Sequence, residues 1–258
     1  MIPIDAKKGC LICEDTIVKG DAFFQPGFSW VKDEFKLERG ETICSRCVDK
    51  LEFLDISKLI KCRADNLLYL APYGGYIKDL IHEFKFGHNT SLAIPLGRLL
   101  ALRVFLEEEK KAHQQGIKGL VGYMANDLLK LVNLITGTSA EHDLVTFIPL
   151  HANRLMERGF NQAELLAERA AESLGLDLHE LLVRNEDTPP QGQLERKKRL
   201  ENLEGKFDLK AGIGPEAYSG KNILLVDDIS TTGASIKEGS RVLLEKGAKD
   251  VKALVLCR

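Results

Sequence analysis

No apolar run in the 258-residue chain approaches the length needed to cross a bilayer; the longest are strand-sized. Residues Met1 to Gly9 lack the apolar core of a secretory signal, so the expected compartment is the cytoplasm. Excess charge of one sign is also missing. Lysines and arginines number 36 and acids 38, a formal net charge of −2, so no global basic field recruits nucleic acid and only local patches could do so. Six cysteines in such a chain fit free thiols or metal ligands better than a disulfide framework. The hydrophobic share of 44% and charged share of 29% are those of an ordinary globular protein. At this length the chain holds one large domain, or one catalytic domain with a small module.

The most informative stretch is Asn222 to Ser235. Asn222 to Val226 is a short apolar run suited to a buried strand. Asp227 and Asp228 put two carboxylates at its carboxyl end. Ser230, Thr231, Thr232, Gly233, Ala234 and Ser235 form a hydroxyl-rich turn that opens into a helix. In open α/β sheets, ligands sit outside the carboxyl ends of strands. A small-residue turn there aims backbone N–H groups and a helix N-terminus at an anion, usually phosphate. Adjacent acids accept hydrogen bonds from sugar hydroxyls or take a hydrated Mg²⁺. The combination describes a phosphorylated sugar.

Residues 1–62 read as a separate module. Cys10 and Cys13 form one CxxC pair, Cys44 and Cys47 another, with thirty residues between. Two such pairs complete a tetrahedral Cys₄ site, so a structural zinc is expected in a small aromatic-containing ribbon with too little core to fold alone. Unrelated turns or redox dithiols are the alternative. Cys62 and Cys257 fall outside the pattern and read as buried apolar residues.

Residues 63–258 read as the main domain. Leu67 to Leu70 suits a strand. Positions 77, 80, 81 and 84 have helical spacing within Tyr76 to Phe86, and Leu92 to Leu106 suits a second helix. His82 and His88 read as surface histidines. Residues 107–142 open with a charge run read as a solvated helix end, and together read as a peripheral helical insertion. Leu144 to Ile148 is a strand. Between it and the next helix lie His151, Arg154, Arg158 and Gly159, a plausible polyphosphate clamp because guanidinium forks match phosphate oxygens. Surface salt bridging is the alternative for both arginines. Asn161 is placed to cap the following helix, with Glu164 completing a capping box, and Ala163, Leu166, Ala167, Ala170 and Leu174 form its apolar face. Leu181 to Val183 is a short strand. It leads into a basic loop that begins at Arg184 and carries Gln191, Arg196, Lys197, Lys198 and Arg199, read as a lid, with a solvated linker or a basic patch for a nucleic-acid backbone as alternatives. A helix from Ser235 to Glu245, with Ile236, Leu243 and Leu244 inward, and a strand from Val251 to Leu256 complete the pattern. Alternating strands and helices from residue 144 onward predict a doubly wound parallel sheet.

The stretch Leu224 to Ser235 resembles the phosphoribosyl-pyrophosphate-binding motif of type I phosphoribosyltransferases. The chain as a whole resembles the ComF family of competence proteins. That likeness rests on the paired CxxC ribbon, Tyr73 to Lys85 with its Lys85-Phe86 ending, and Pro149-Leu150-His151 through Arg154 to Arg158-Gly159-Phe160-Asn161-Gln162. Pro190-Gln191, Leu194, Arg199, Asn202 and Phe207 add to it. It covers nearly everything except about 107–142.

The resemblance implies a type I phosphoribosyltransferase-like sheet with an N-terminal zinc ribbon. Asp227 and Asp228 would contact the ribose hydroxyls and stand at the centre of catalysis. The turn from Ser230 to Ser235 would hold the 5′-phosphate, the loop with His151, Arg154 and Arg158 the pyrophosphate, and Gln191 to Arg199 would form the flexible flap. The implied reaction displaces pyrophosphate from phosphoribosyl pyrophosphate by an unidentified nitrogen acceptor, with Mg²⁺ on the diphosphate. The competing expectation is a non-catalytic adaptor in DNA uptake that binds a nucleotide or single-stranded DNA and docks an ATPase or helicase partner.

Overall fold

The structure is a computed structural model and describes residues 63–64, 66–87, 89–114, 141–185 and 205–258. The expected zinc ligands Cys10, Cys13, Cys44 and Cys47 lie outside the described residues, as do Cys62, His88 and the loop residues Gln191 to Arg199.

Eight strands are described. β1 (Arg63–Ala64), β2 (Leu67–Ala71), β3 (Leu144–Phe147), β4 (Asp177–Leu178), β7 (Asn222–Ile229) and β8 (Asp250–Cys257) form one sheet in the order β1-β2-β8-β7-β3-β4. Only the β1–β2 pair is antiparallel; β2 with β8, β8 with β7, β7 with β3 and β3 with β4 are parallel. β5 (Leu182–Arg184) and β6 (Phe207–Leu209) form a separate antiparallel hairpin. The helices are α1 (Gly75–Phe86), α2 (Ala93–Gln114), α3 (Ala152–Arg158), α4 (Gln162–Leu174) and α5 (Ala234–Glu245). None of those described is long and apolar enough to cross a membrane.

Parallel strands covered on both faces need apolar side chains on both faces, and β7 shows this. Leu224 and Val226 enter a core built with α1, α2 and α4, while Ile223 and Leu225 enter a second core with Ile236, Val242 and Leu243 of α5 and with Leu182 and Phe207 of the hairpin. The sheet is thus doubly wound. Each fully buried leucine along it contributes about 2 kcal/mol of hydrophobic stabilisation.

α4 follows its sequence pattern closely. Ala163, Leu166, Ala167, Ala170 and Leu174 are all buried, and Gly175 closes the helix at φ 63°. Asn161 caps it by accepting from the Ala163 N–H at 3.1 Å, and its side-chain amide donates to the Ile148 carbonyl. The cap therefore also anchors the helix to the end of β3. α2 crosses α4 at a glycine: a Cβ on Gly97 would stand 2.5 Å from the Arg169 Cβ and 3.0 Å from the Leu166 carbonyl oxygen.

Four expectations need correction. The strand near Leu181 is displaced to Leu182–Arg184 and lies outside the main sheet, because its partner is the returning Phe207–Leu209 segment. Arg184 is therefore a strand residue rather than the start of the loop. The second helix runs on to Gln114, through the charge run. Glu107 is buried there rather than solvated, because it pairs with Arg103, which has no exposed surface. Leu244 is exposed and Val242 takes its inward position on α5. Cys257 is a buried free thiol, as its sequence context suggested.

Candidate functional site

β7 carries the site. By strand alternation its last residues point to opposite faces. Asp227 lies on the α5 face. It lines a concavity with Ile229, Ser230, Thr231, Thr232, Gly233, Ala234, Ser235 and Ile236. Asp228 lies on the α1 face, where its Oδ2 is 2.7 Å from the Lys85 ammonium at the last turn of α1. The two acids stay linked through the backbone: the Asp228 N–H donates to Asp227 Oδ1 at 2.8 Å.

Their environments differ in charge. Burial pushes the Asp227 carboxyl up to about 8, and the adjacent Asp228 charge adds to the rise. The Asp228 N–H, the Lys85 ammonium and the Arg184 guanidinium act against it. Burial and the Asp228 charge likewise push the neighbouring Cys257 thiol up to about 12, so this sulfur stays protonated and is no nucleophile.

The turn after β7 is shaped for an anion. Gly233 occupies the N-cap of α5 at φ 78°, a left-handed conformation that glycine adopts without strain. No side chain caps α5 from that position. The Thr232 hydroxyl accepts from the Ala234 N–H at 3.3 Å. The Ser230 N–H donates to the Cys257 carbonyl at 3.0 Å, which ties the turn to β8. The Ser230 Oγ is buried with no hydrogen-bond partner. A twelve-residue helix that opens on a glycine and is flanked by hydroxyls supplies the donors and the dipole that a phosphate takes.

The hairpin stands over the Asp227 side. Arg184 at the end of β5 pairs across the hairpin with Phe207, and its guanidinium lies 5.8 Å from that ring's centre. The Gly205 N–H donates to Glu238 of α5 at 2.7 Å. Arg241 holds the same carboxylate with two nitrogens, and these bonds keep it below the usual carboxylate range. Both roots of the segment 186–204 are therefore fixed beside the cradle.

The segment after β3 differs from its expected form. Residues 152–158 are a short helix, α3, rather than an open loop. His151 caps it, with Nδ1 accepting from the Asn153 N–H at 3.3 Å. Gly159 ends it at φ 79°. Arg154 pairs with Glu157 at 3.1 Å. Arg158 donates to Gln162 at 3.1 Å and sits 5.8 Å from the centre of the exposed Phe86 ring. The last turn of α1 thus meets both neighbours: Lys85 reaches the acid of β7, and Phe86 packs under the arginine of α3.

Sequence reasoning assigned no role to Lys85 or Arg184. Lys85 carried a signal, since it lies in the pattern that supports the family likeness, but helical spacing alone shows nothing of a strand-end partner. Arg184 carried none that separated it from the basic loop.

A family model for a phosphoribosyl transferase domain matches residues 161–258. That span holds α4, the hairpin, β7, the turn and α5. The chain is 29% identical over 194 residues to the DNA utilization protein YhgH of Escherichia coli K12, covering 75% of this chain and 72% of that one. It is 28% identical over 195 residues to competence protein F of Haemophilus influenzae, with 75% and 73% covered. Over a shorter span of 111 residues it is 41% identical to competence protein ComFC of Streptococcus pneumoniae, covering 43% of this chain and 46% of that protein.

Proposed function

We propose that the chain binds phosphoribosyl pyrophosphate with Mg²⁺ and transfers its phosphoribosyl group to a nitrogen nucleophile. One observation carries the reading. A strand-end acid and a glycine-started helix N-terminus line a single concavity, within the span that matches a phosphoribosyl transferase model. A sugar hydroxyl and a 5′-phosphate require those two groups side by side.

In the proposed reaction the nitrogen lone pair forms a bond to C1 of the ribose. The bond from C1 to the diphosphate oxygen breaks, pyrophosphate leaves with the electron pair, and the nitrogen gives up a proton. Such a reaction asks little covalent chemistry of the protein. Asp227 and Asp228 position the sugar, the turn from Ser230 to Ser235 holds its phosphate, and His151, Arg154 and Arg158 stand on the segment that would face the diphosphate. The loop bearing Gln191, Arg196, Lys197, Lys198 and Arg199 would exclude water. Mg²⁺ takes oxygen ligands and is commonly carried on substrate phosphates. The Asp227 carboxyl fits this, because it faces the cradle and could accept hydrogen bonds from the ion's waters. When bound, the ion would neutralise charge on the departing diphosphate. Structural zinc on Cys10, Cys13, Cys44 and Cys47 is part of the same proposal, supported by their spacing, and metal analysis of the purified protein checks it.

Calorimetric titration with phosphoribosyl pyrophosphate and Mg²⁺ tests the first step. Saturable binding, lost in Asp227→Ala, is expected; absence of binding in the unaltered protein overturns the reading. A screen of nucleobases and amines for pyrophosphate release then tests transfer.

A second reading is an adaptor in DNA uptake that binds a nucleotide or single-stranded DNA without turnover, in contact with an ATPase or helicase. The names of the relatives, DNA utilization and competence proteins, favour it. Binding of phosphoribosyl pyrophosphate with no acceptor giving turnover, and single-stranded DNA binding weakened by charge reversal at Arg196 to Arg199, would select it.

A further inference from the structure

Lys85 is the penultimate residue of α1, and its helix neighbours Ile81 and Phe84 are buried in the core. Its ammonium crosses to the sheet and meets Asp228 Oδ2 at 2.7 Å; the two side chains are only 17% and 12% exposed. The charged and titratable groups around Asp228 are Lys85 from α1, Asp227 from its own strand and the protonated Cys257 thiol from β8. Among them Lys85 is the cation that touches it. A buried ion pair is a poor device for stability alone, because apolar side chains of the same volume serve as well. This one stands at the carboxyl end of the central strands, where α/β sheets place ligands. The lysine engages one carboxylate oxygen and a carboxylate has two, so Oδ1 retains acceptor capacity.

We propose that Lys85 is a positioning residue of the sugar site: by holding Asp228 Oδ2 it fixes that carboxylate so that Oδ1 accepts a ribose hydroxyl. The assignment rests on the phosphoribosyl reading above. Lys85 acts on the sugar through Asp228 and has no part in holding the 5′-phosphate, which belongs to the turn on the other face of β7. Hydroxyl recognition and phosphate recognition are thereby separable.

The test compares two probes by calorimetry: ribose 5-phosphate, which has sugar hydroxyls, and inorganic phosphate, which has no sugar. In Lys85→Met the affinity for ribose 5-phosphate should fall about tenfold or more, the usual size of a lost hydrogen bond to a charged group. The affinity for inorganic phosphate should stay within about twofold. Asp228→Asn should give the same pattern. Lys85→Met with Asp228→Asn should be no worse than either alone, because the two act as one unit. Lys85→Arg should recover part of the loss. Unchanged or tighter ribose 5-phosphate binding in Lys85→Met overturns the proposal, as does an equal loss on both probes, the mark of a merely structural role. If Lys85→Met melts early, Lys85→Gln, a shorter neutral side chain that keeps a donor, is read by the same criteria. Failure of the unaltered protein to bind ribose 5-phosphate or phosphoribosyl pyrophosphate is a different result; it overturns the underlying reading and this proposal with it.

Discussion

Asp227 and Asp228 are consecutive in sequence and serve opposite faces of one strand. The first lines the cradle beneath α5; the second meets the ammonium of Lys85 beneath α1. One carboxyl thus sits in a buried setting without a directly bonded cation, and the other is neutralised by contact.

That asymmetry sets a pH dependence. The Asp227 carboxyl is raised in the folded protein to about 8, from its ordinary value near 4. Between those values the unfolded chain has lost this proton and the folded protein retains it. The contribution to stability is then fully present below about pH 4 and is lost as pH rises to about 8. Asp227→Asn removes the penalty. At pH 8 the variant should be clearly more stable than the unaltered protein, with the gap closing towards pH 4. Urea midpoints measured across that range check it; a gap constant with pH would contradict it.

Gly233→Ala isolates backbone strain in the phosphate turn. The space is open, since the nearest heavy atom to an added Cβ is the Ser230 Oγ at 3.9 Å. The cost is therefore conformational, about 1 kcal/mol for a side chain held in the left-handed region. Thermal unfolding should show a small loss. Calorimetry should show weaker binding of inorganic phosphate, because relieving the strain moves the N–H groups that follow.

Gly97→Ala tests the crossing of α2 and α4. Alanine is the better helix former by about 1 kcal/mol. Here its Cβ would meet the Arg169 Cβ at 2.5 Å and the Leu166 carbonyl at 3.0 Å, so the helices must separate. Overpacking of this kind costs about 1–3 kcal/mol, and net destabilisation is expected in denaturant titration. A stabilised variant would show that the seam yields freely.

Glu107→Leu leaves the buried Arg103 guanidinium without the carboxylate it meets at 3.3 Å. Loss of one partner from a buried pair costs about 3–5 kcal/mol. Adding Arg103→Met should restore most of the stability. Denaturant midpoints of the single and double variants decide whether charge or packing governs this part of α2.

The fold was legible where local rules and tertiary packing agree. α4 is such a case: the cap at Asn161, the apolar face from Ala163 to Leu174 and the stop at Gly175 are all determined within one segment. β7 is another, because an apolar run ending in two acids reads as a buried strand whatever its neighbours. The errors have a shared cause. Glu107 looked solvated because a charge run normally is, and only the folded chain shows Arg103 buried beside it. Arg184 read as loop because its strand partner Phe207 is far along the chain and cross-strand pairing leaves little local trace. α3 was hidden because seven residues carry too little apolar periodicity to announce a helix, and none of its side chains is buried. In the site, residue types were legible, whereas the division of Asp227 and Asp228 between two faces follows from the period of the strand and the contact with Lys85 only from the fold.

β8 has a consequence for how the chain comes together. It pairs with β2 on one side and β7 on the other, and those two strands do not pair with each other. Its end also receives the Ser230 N–H and donates the Arg258 N–H to the Ala71 carbonyl. During synthesis from the N-terminus, β2 therefore waits through some 180 residues for β8, its parallel neighbour among the described residues. Until residues 250–257 emerge, β2 and the β7–β3 pair are unconnected, and the phosphate turn lacks the Cys257 carbonyl that holds its Ser230 N–H. A nascent chain in that state exposes unpaired apolar edges, so ribosome-bound intermediates should depend on chaperone protection until β8 is inserted.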